Sequence, residues 1–160
     1  MIERLFTIGV YAKTEAEFFD RLLHAQIQVF CDIRQRRGVR GAQYAFVNSR
    51  HLQRELAARG IQYRYFKNLA PTKQIRDAQK KADAGTKQPK RTRTSLDEEF
   101  RRRYIEEVLA GFDSSRLAAE FGSETSRIVL FCVEAEPAAC HRGLVAARLQ
   151  KDWGVPVEHL

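Results

Sequence analysis

The sequence predicts an α/β fold with three layers, in which a mostly parallel sheet carries helices on both faces and includes a basic helical insertion. Short runs rich in Val, Ile and Phe alternate with stretches whose apolar residues recur at helical spacing, an alternation typical of strand–helix–strand units. The runs at 27–33 and 127–133 are almost continuously apolar, as expected of strands buried on both faces. A length of 160 residues fits one domain, predicted to span 1–160.

The first part of the chain predicts the order β-α-β-α-β. Thr14 and Glu17 have the spacing of a capping box, which predicts the start of the first helix, and Gly60 predicts the end of the second. On this basis strands are expected at 4–10, 27–33 and 61–66, and helices at about 15–26 and 49–59.

The second part predicts a helical insertion at about 67–122, followed by a further strand–helix–strand unit. Helices are expected at 72–84, around 100–109 and at 117–121, and the Lys-, Arg- and Thr-rich stretch 85–95 is expected to be mobile. A strand at 127–133, a turn at Pro137, a helix at about 139–152 and a short strand at 155–158 complete the prediction.

Positive charge is concentrated in the insertion. Twelve of the 28 Lys and Arg residues lie between Lys67 and Arg103, together with five of the 20 Asp and Glu residues, so this segment carries +7 of the net charge of +8. Such a patch suits a polyanionic partner, either nucleic acid or another anion. The alternative is a solvated basic loop that binds nothing.

The three cysteines, Cys31, Cys132 and Cys140, form an odd and widely spaced set. This pattern argues against a secreted disulfide scaffold and favours free thiols in a reducing cytoplasm. Cys31 and Cys132 lie in apolar strand runs and are expected to be core residues. The N-terminus lacks the features of a signal peptide, and no apolar run of about 18 residues predicts a membrane span.

The fold also predicts where a functional site lies. In an open parallel sheet, ligands bind at the carboxyl ends of the strands, and four loops leave such ends here. These loops carry Gly9 and Tyr11, then Asp32, Arg34 and Arg36, then Asn68, and last the segment from Glu134 to Arg142. We expect them to meet at one edge of the sheet.

Cys140, His141 and Arg142 are the sharpest candidates, because they follow a buried strand and a Pro-containing turn and open a helix. A cysteine in the first helical turn beside His and Arg has the surroundings of an activated nucleophile, and His141 is suited to acid or base work. The same position equally suits an anion held by backbone N–H groups and Arg142. The third interpretation is an inert, packed thiol.

Asp32 and Arg34 allow two interpretations: they pair structurally at the strand end, or they act in the site, with Asp32 orienting a neighbour. Arg34, Arg36, Arg37 and Arg40 lie within seven residues without an acid, a pattern that favours contact with an anion. No C-x-x-C or H-x-x-x-H spacing is present, so no metal site is predicted, although the fold could gather Cys140, His141, Asp32 and Glu134. Nothing in the sequence identifies a cofactor.

With these motifs assembled, the chain resembles the domain-of-unknown-function family 488. The resemblance rests on Thr7-Ile8-Gly9, Asp32-Ile33-Arg34, Gly60-Ile61-x-Tyr63, Glu134-x-x-Pro137-x-x-Cys140-His141-Arg142 and Val157-x-His159-Leu160. It implies a compact α/β fold and a polar cluster contributed by these motifs, and it implies no activity. Members often carry His at the position of Val10, so any chemistry that depends on that His is lost or moved in this chain.

Two functional hypotheses follow. The first is an intracellular protein with an enzyme-like pocket for an anionic, phosphate-bearing substrate. Arg34, Arg36 and Arg142 would bind the anion, Cys140, His141 and Asp32 would carry out or assist the chemistry, and Gly9, Tyr11 and Glu134 would support the site. The second is a non-catalytic nucleic-acid-binding module that uses Arg34–Arg40 and Lys67–Arg103.

Overall fold

Five strands form one sheet in which every neighbouring pair is parallel. The structure is a computed structural model that describes all 160 residues. The strands are β1 (Arg4–Ile8), β2 (Val29–Asp32), β3 (Gln62–Tyr65), β4 (Arg127–Phe131) and β5 (Val157–His159). Their order across the sheet is β3-β2-β4-β1-β5. The predicted α/β class and parallel sheet are confirmed, with β4 between β2 and β1.

Six α-helices cover the sheet: α1 (Glu15–His24), α2 (Ser49–Ala58), α3 (Lys73–Thr86), α4 (Glu98–Tyr104), α5 (Ser114–Ala119) and α6 (His141–Trp153). Right-handed crossovers on this strand order put α1 and α2 on one face and α6 with the insertion helices on the other. Contacts agree, because Arg59 after α2 stacks on Phe19 of α1 and α4 packs against α6. None of these helices is long and apolar enough to span a bilayer.

Local sequence explains the helix of the first crossover, α1, which connects β1 to β2. The capping box is present, because Thr14 and Glu17 exchange side-chain and backbone hydrogen bonds at the start of α1. The apolar stripe of α1 then places Phe18 against Phe30 of β2 and Phe131 of β4, with ring centroids 6.2 and 5.6 Å away. These aromatic contacts fix the helix across the two central strands.

The strands predicted at 27–33 and 127–133 are shorter, at Val29–Asp32 and Arg127–Phe131, and two further segments differ in ways that affect the site. Strand β1 ends at Ile8 rather than at residue 10, because the N–H groups of Val10 and Tyr11 both donate to the Val133 carbonyl beyond the end of β4. The stretch 85–95 is anchored rather than free. Helix α3 continues to Thr86, a 3-10 turn covers Lys90–Thr92, and the Leu96 N–H donates to the Ala138 carbonyl.

The strand order creates a crevice above β4. The chain leaves β1 towards the face of α1 but leaves β4 towards the face of α6, and these two strands are neighbours. Connections that diverge from adjacent parallel strands open a cleft at the carboxyl edge, the usual ligand position in such sheets. The sequence-predicted loops therefore surround one position in the fold.

Candidate active site

A cavity of about 600 Å³ lies at this edge of the sheet. Its lining includes Cys132, Cys140 and His141 together with eight basic and two acidic residues. The basic residues are Arg34, Arg36, Arg40, Arg76, Lys80, Lys90, Arg91 and Arg93, and the acidic residues are Asp83 and Glu134. A concave surface with this excess of positive charge attracts anions.

Both basic segments of the sequence contribute to this one cavity. The loop after β2 supplies Arg34, Arg36 and Arg40, and α3 with the segment that follows it supplies the other five. Three lining side chains also have a buried polar atom without a hydrogen-bond partner: Arg34 Nη1, Arg76 Nε and Glu134 Oε2. Buried polar groups are normally satisfied, and these three atoms have no hydrogen-bond partner within the protein.

Cys140 is held at the junction between a short turn and a helix. A 3-10 turn at Pro137–Ala139 ends at Cys140, which is the N-cap residue of α6. Gly143 allows the turn to lie directly on the helix, because a Cβ there would stand 2.4 Å from the Pro137 carbonyl oxygen. Cys140 therefore precedes the free N–H groups of the first helical turn, whose partial positive charge stabilises a thiolate.

His141 is oriented by the loop after β2. Its Nε2 lies 2.9 Å from the Ile33 carbonyl oxygen, and since a carbonyl can only accept, Nε2 carries the proton and donates it. The other nitrogen, Nδ1, lies 3.8 Å from the Cys140 sulfur. Nδ1 is thus left to exchange a proton with the thiol, the relation that a cysteine nucleophile needs with its base.

The surroundings of Cys132, Cys140 and His141 determine their ionisation. Burial alone would raise the pKa of the Cys140 thiol, but a hydrogen bond with Cys132 and the charges of His141 and Arg142 hold that pKa well below its usual value. Burial would lower the pKa of His141, whereas the Cys140 thiolate raises it. The hydrogen bond between the two cysteines, together with burial, holds the pKa of the Cys132 thiol well above its usual value.

Asp32 and Arg34 form the structural pair that was one of the two interpretations. Arg34 Nε and Nη2 donate to the two Asp32 carboxylate oxygens at 2.9 and 2.7 Å, and the Tyr63 hydroxyl donates to the same carboxylate. Asp32 is fully buried and is not part of the cavity lining. It fixes the guanidinium of Arg34, a residue of the cavity lining whose buried Nη1 has no hydrogen-bond partner within the protein.

Arg142 does not join the other predicted anion ligands. Its Nη1 and Nη2 donate to the carbonyls of Glu134 and Ala135 at 2.6 and 2.8 Å, so it braces the β4–α6 loop from behind. Gly9 belongs to the same packing, because a Cβ on Gly9 would stand 1.9 Å from the Glu134 carbonyl oxygen. These two residues support the site without lining it.

Two site residues were missed by the sequence analysis. Cys132 belongs to the hydrophobic core, as expected, but it also lines the cavity just past the end of β4, which the sequence analysis did not predict. Arg93, assigned to a mobile stretch, is buried and bonds to the Asp83 carboxylate, the Glu134 carboxylate and the Ala139 carbonyl. No local signal distinguishes Arg93 from its basic neighbours, because its partners come from distant segments.

Some of the remaining predicted residues line the cavity, and others lie outside its lining. Tyr11 and Arg36 line the cavity, and Asn68 does not. The Arg91 guanidinium lies over the rings of Tyr11 and Tyr44 at 5.6 and 5.2 Å, which holds this cation at the cavity wall. Val10, at the position where relatives often carry His, is fully buried in the apolar core.

Comparison with known proteins supports the motif-based resemblance. The family model for the domain of unknown function DUF488 matches residues 14–149, most of the chain. The chain belongs to the DUF488 family. The matched DUF488 range contains the Asp32–Arg34 and Cys140–Arg142 motifs, while the motifs at 7–9 and 157–160 lie outside it. Searches of curated proteins and of solved structures found no match.

Proposed function

We propose that the protein is a cysteine-dependent enzyme that acts on an anionic, phosphate-bearing substrate. The observation that carries this proposal is the Cys140–His141 pair in the wall of a cavity lined by eight basic residues. A reactive thiol needs a nearby base and positive surroundings, and a phosphate needs convergent guanidinium and ammonium donors. The cavity supplies both requirements in one place. The three free thiols suit a reducing compartment such as the cytoplasm.

Each residue has a role that its contacts support. Arg34, through its free Nη1, and Arg36 bind the phosphate group, and Asp32 orients Arg34. The Cys140 thiol gives its proton to His141 Nδ1, and the thiolate forms a bond to the electrophilic atom of the substrate. As the bond to the leaving group breaks, that group takes the proton from Nδ1. Water then cleaves the bond between sulfur and substrate: its hydroxyl goes to the substrate group, its proton passes through Nδ1 to the Cys140 sulfur, and the Ile33 carbonyl keeps the imidazole in place throughout.

Protection of Cys140 from alkylation tests the pocket without a known substrate. We expect inorganic phosphate or pyrophosphate, at constant ionic strength set with chloride, to slow iodoacetamide modification of Cys140, followed by mass spectrometry of its peptide. The anion should occupy the donors beside the thiol and exclude the reagent. Modification at the same rate with and without both anions would rule out an anion site next to Cys140.

Turnover provides the second test. With a phosphate-bearing substrate found by screening, Cys140→Ser should lower kcat/KM by at least about 1,000-fold, the scale typical of a lost nucleophile. Cys31→Ser is the matched control, because Cys31 lies in β2 away from the cavity. Full activity of the Cys140→Ser variant would remove the nucleophile from the proposal.

The alternative, a non-catalytic nucleic-acid-binding module, has weaker support. Eight basic residues of the loop and of the insertion line one cavity, and on α4 the guanidinium groups of Arg102 and Arg103 pair with Glu99, Glu106 and Glu107. A continuous basic face is what such a module needs. Retention of nucleic acid that falls steeply with salt, without phosphate protection of Cys140, would favour the alternative.

A further inference from the structure

Cys132, Cys140 and His141 form a compact set of metal-ligand atoms. The two sulfurs and an imidazole nitrogen all lie within 4.8 Å of one another, and all three residues are buried. In a tetrahedral zinc site with bonds of about 2.3 Å to sulfur and 2.0 Å to nitrogen, ligand atoms stand roughly 3.5 Å apart. The distance of 3.8 Å between Cys140 Sγ and His141 Nδ1 is close to that spacing.

The surroundings orient these ligands as metal sites require. A ligating histidine commonly donates its second ring N–H to a carbonyl or carboxylate, and the Nε2–H of His141 donates to the Ile33 carbonyl. Nδ1 therefore keeps its lone pair towards the two sulfurs. Glu134 lies in the same cavity lining, and its buried Oε2 has no hydrogen-bond partner.

Charge balance selects the kind of metal. A dication in a basic cavity is favourable only if its ligands neutralise it, and two thiolates cancel the double charge of Zn²⁺. Thiolate and imidazole ligands select zinc over Mg²⁺ or Ca²⁺, which prefer oxygen. The surrounding Lys and Arg residues then favour an anion, hydroxide or a phosphate oxygen, at the remaining coordination position.

We propose that Cys132, Cys140 and His141 bind Zn²⁺ with three protein ligands and a fourth coordination position open to the basic cavity. Binding exchanges the thiol protons for metal–sulfur bonds, so zinc occupies the same electron pair with which Cys140 would attack a substrate. Zinc and alkylation therefore exclude each other. This inhibitory consequence rests on the function proposed above, whereas the metal site itself stands on the cluster.

Metal titration of the full-length protein, purified without metal and kept reduced, tests the site. Co²⁺ should give the intense visible bands of a tetrahedral site and a thiolate charge-transfer band, and Zn²⁺ should displace it at one equivalent. Cys132→Ala, Cys140→Ala and His141→Ala should each weaken zinc binding by at least about 100-fold, because even outer-shell changes cost 10- to 100-fold. Cys31→Ala should bind as the wild type does. Circular dichroism checks the folding of each variant.

A labelling experiment on the wild-type protein tests the metal site even if the variants fail to fold. One equivalent of Zn²⁺ should protect both Cys132 and Cys140 from N-ethylmaleimide, with no change at Cys31. Octahedral Co²⁺ spectra without a thiolate band, or labelling that zinc leaves unchanged, would overturn the metal site while phosphate protection of Cys140 stood. Conversely, a fully active Cys140→Ser variant whose zinc affinity is lost would overturn the proposed function and support the metal site.

Discussion

Arg34 and Arg142 make an instructive pair. Both follow central strands of the sheet, and they are only 2% and 1% exposed. Arg34 has a carboxylate partner, Asp32, and keeps Nη1 free beside the cavity. Arg142 instead donates two hydrogen bonds to backbone carbonyls and lies outside the cavity lining. The same side chain, equally buried, lines a cavity in one position and holds a loop in the other.

Each guanidinium has one buried nitrogen without a hydrogen-bond partner, Nη1 in Arg34 and Nε in Arg142, so the difference lies in position: only Arg34 lines the cavity. A guanidinium has five N–H groups in a fixed fork, and a functional arginine must keep some of them free towards a cavity. In Arg142, Nη1 and Nη2 instead donate to the backbone carbonyls of Glu134 and Ala135. Substitutions in the two regions should therefore separate loss of stability from loss of anion binding.

The largest effect is expected for Arg34→Met. This change leaves the Asp32 carboxylate buried without its cationic partner, which should lower the free energy of unfolding by about 3–5 kcal/mol, measured by urea denaturation. Asp32→Asn combined with Arg34→Met should recover part of the loss, because no unpaired charge remains. Equal stability of the single and double variants would show that the pair is not a coupled unit.

Arg142→Met comes next, with an expected loss of about 2–4 kcal/mol, because two carbonyls lose their donors. The affinity for pyrophosphate is then compared by calorimetry, with both variants folded. Arg142→Met should bind pyrophosphate more tightly than the double variant Asp32→Asn, Arg34→Met does. If the order were reversed, Arg142 would be the anion ligand and the distinction between the two arginines would fail.

Gly9→Ala tests the support behind Arg142. The added methyl group would meet the Glu134 carbonyl at 1.9 Å, and overpacking against backbone should cost about 2 kcal/mol or more. Gly111→Ala is the matched control, since a Cβ on Gly111 would have no atom within 4 Å, and its change should stay within about 0.5 kcal/mol. Similar thermal unfolding of both variants would contradict the close approach at Gly9.

Arg36→Gln should have the smallest effect. Arg36 is exposed at the cavity wall, where screening limits each charge, so pyrophosphate affinity should fall only about two- to five-fold with stability unchanged. Arg101→Gln, an exposed position outside the cavity lining, is the control in the same calorimetric titration. A loss larger than that of the Arg34 double variant would place the main anion contact on the outer loop.

Much of the fold is encoded in local patterns, and the site only partly. The apolar runs around β2 and β4 predict buried parallel strands, and Thr14 with Glu17 predicts the start of α1. The position of Cys140 before a helix was also predictable. Cys132 was not, because the apolar run continues past the end of β4 and periodicity does not reveal where the backbone leaves the sheet. The partners of Arg93 and Arg142 are equally hidden, since their hydrogen bonds join distant segments or backbone carbonyls.

The anchoring of the insertion through Arg93 has a consequence for how the cavity varies. One wall is the rigid edge of the sheet, and the other is a segment between β3 and β4 that Arg93 ties to Asp83, Glu134 and the Ala139 carbonyl. Lengthening or shortening the chain on either side of Arg93 would widen or narrow the entrance while the register of the five strands stayed the same. Under the proposed function, the size of the substrate would therefore be set in this wall, separately from Cys140 and His141.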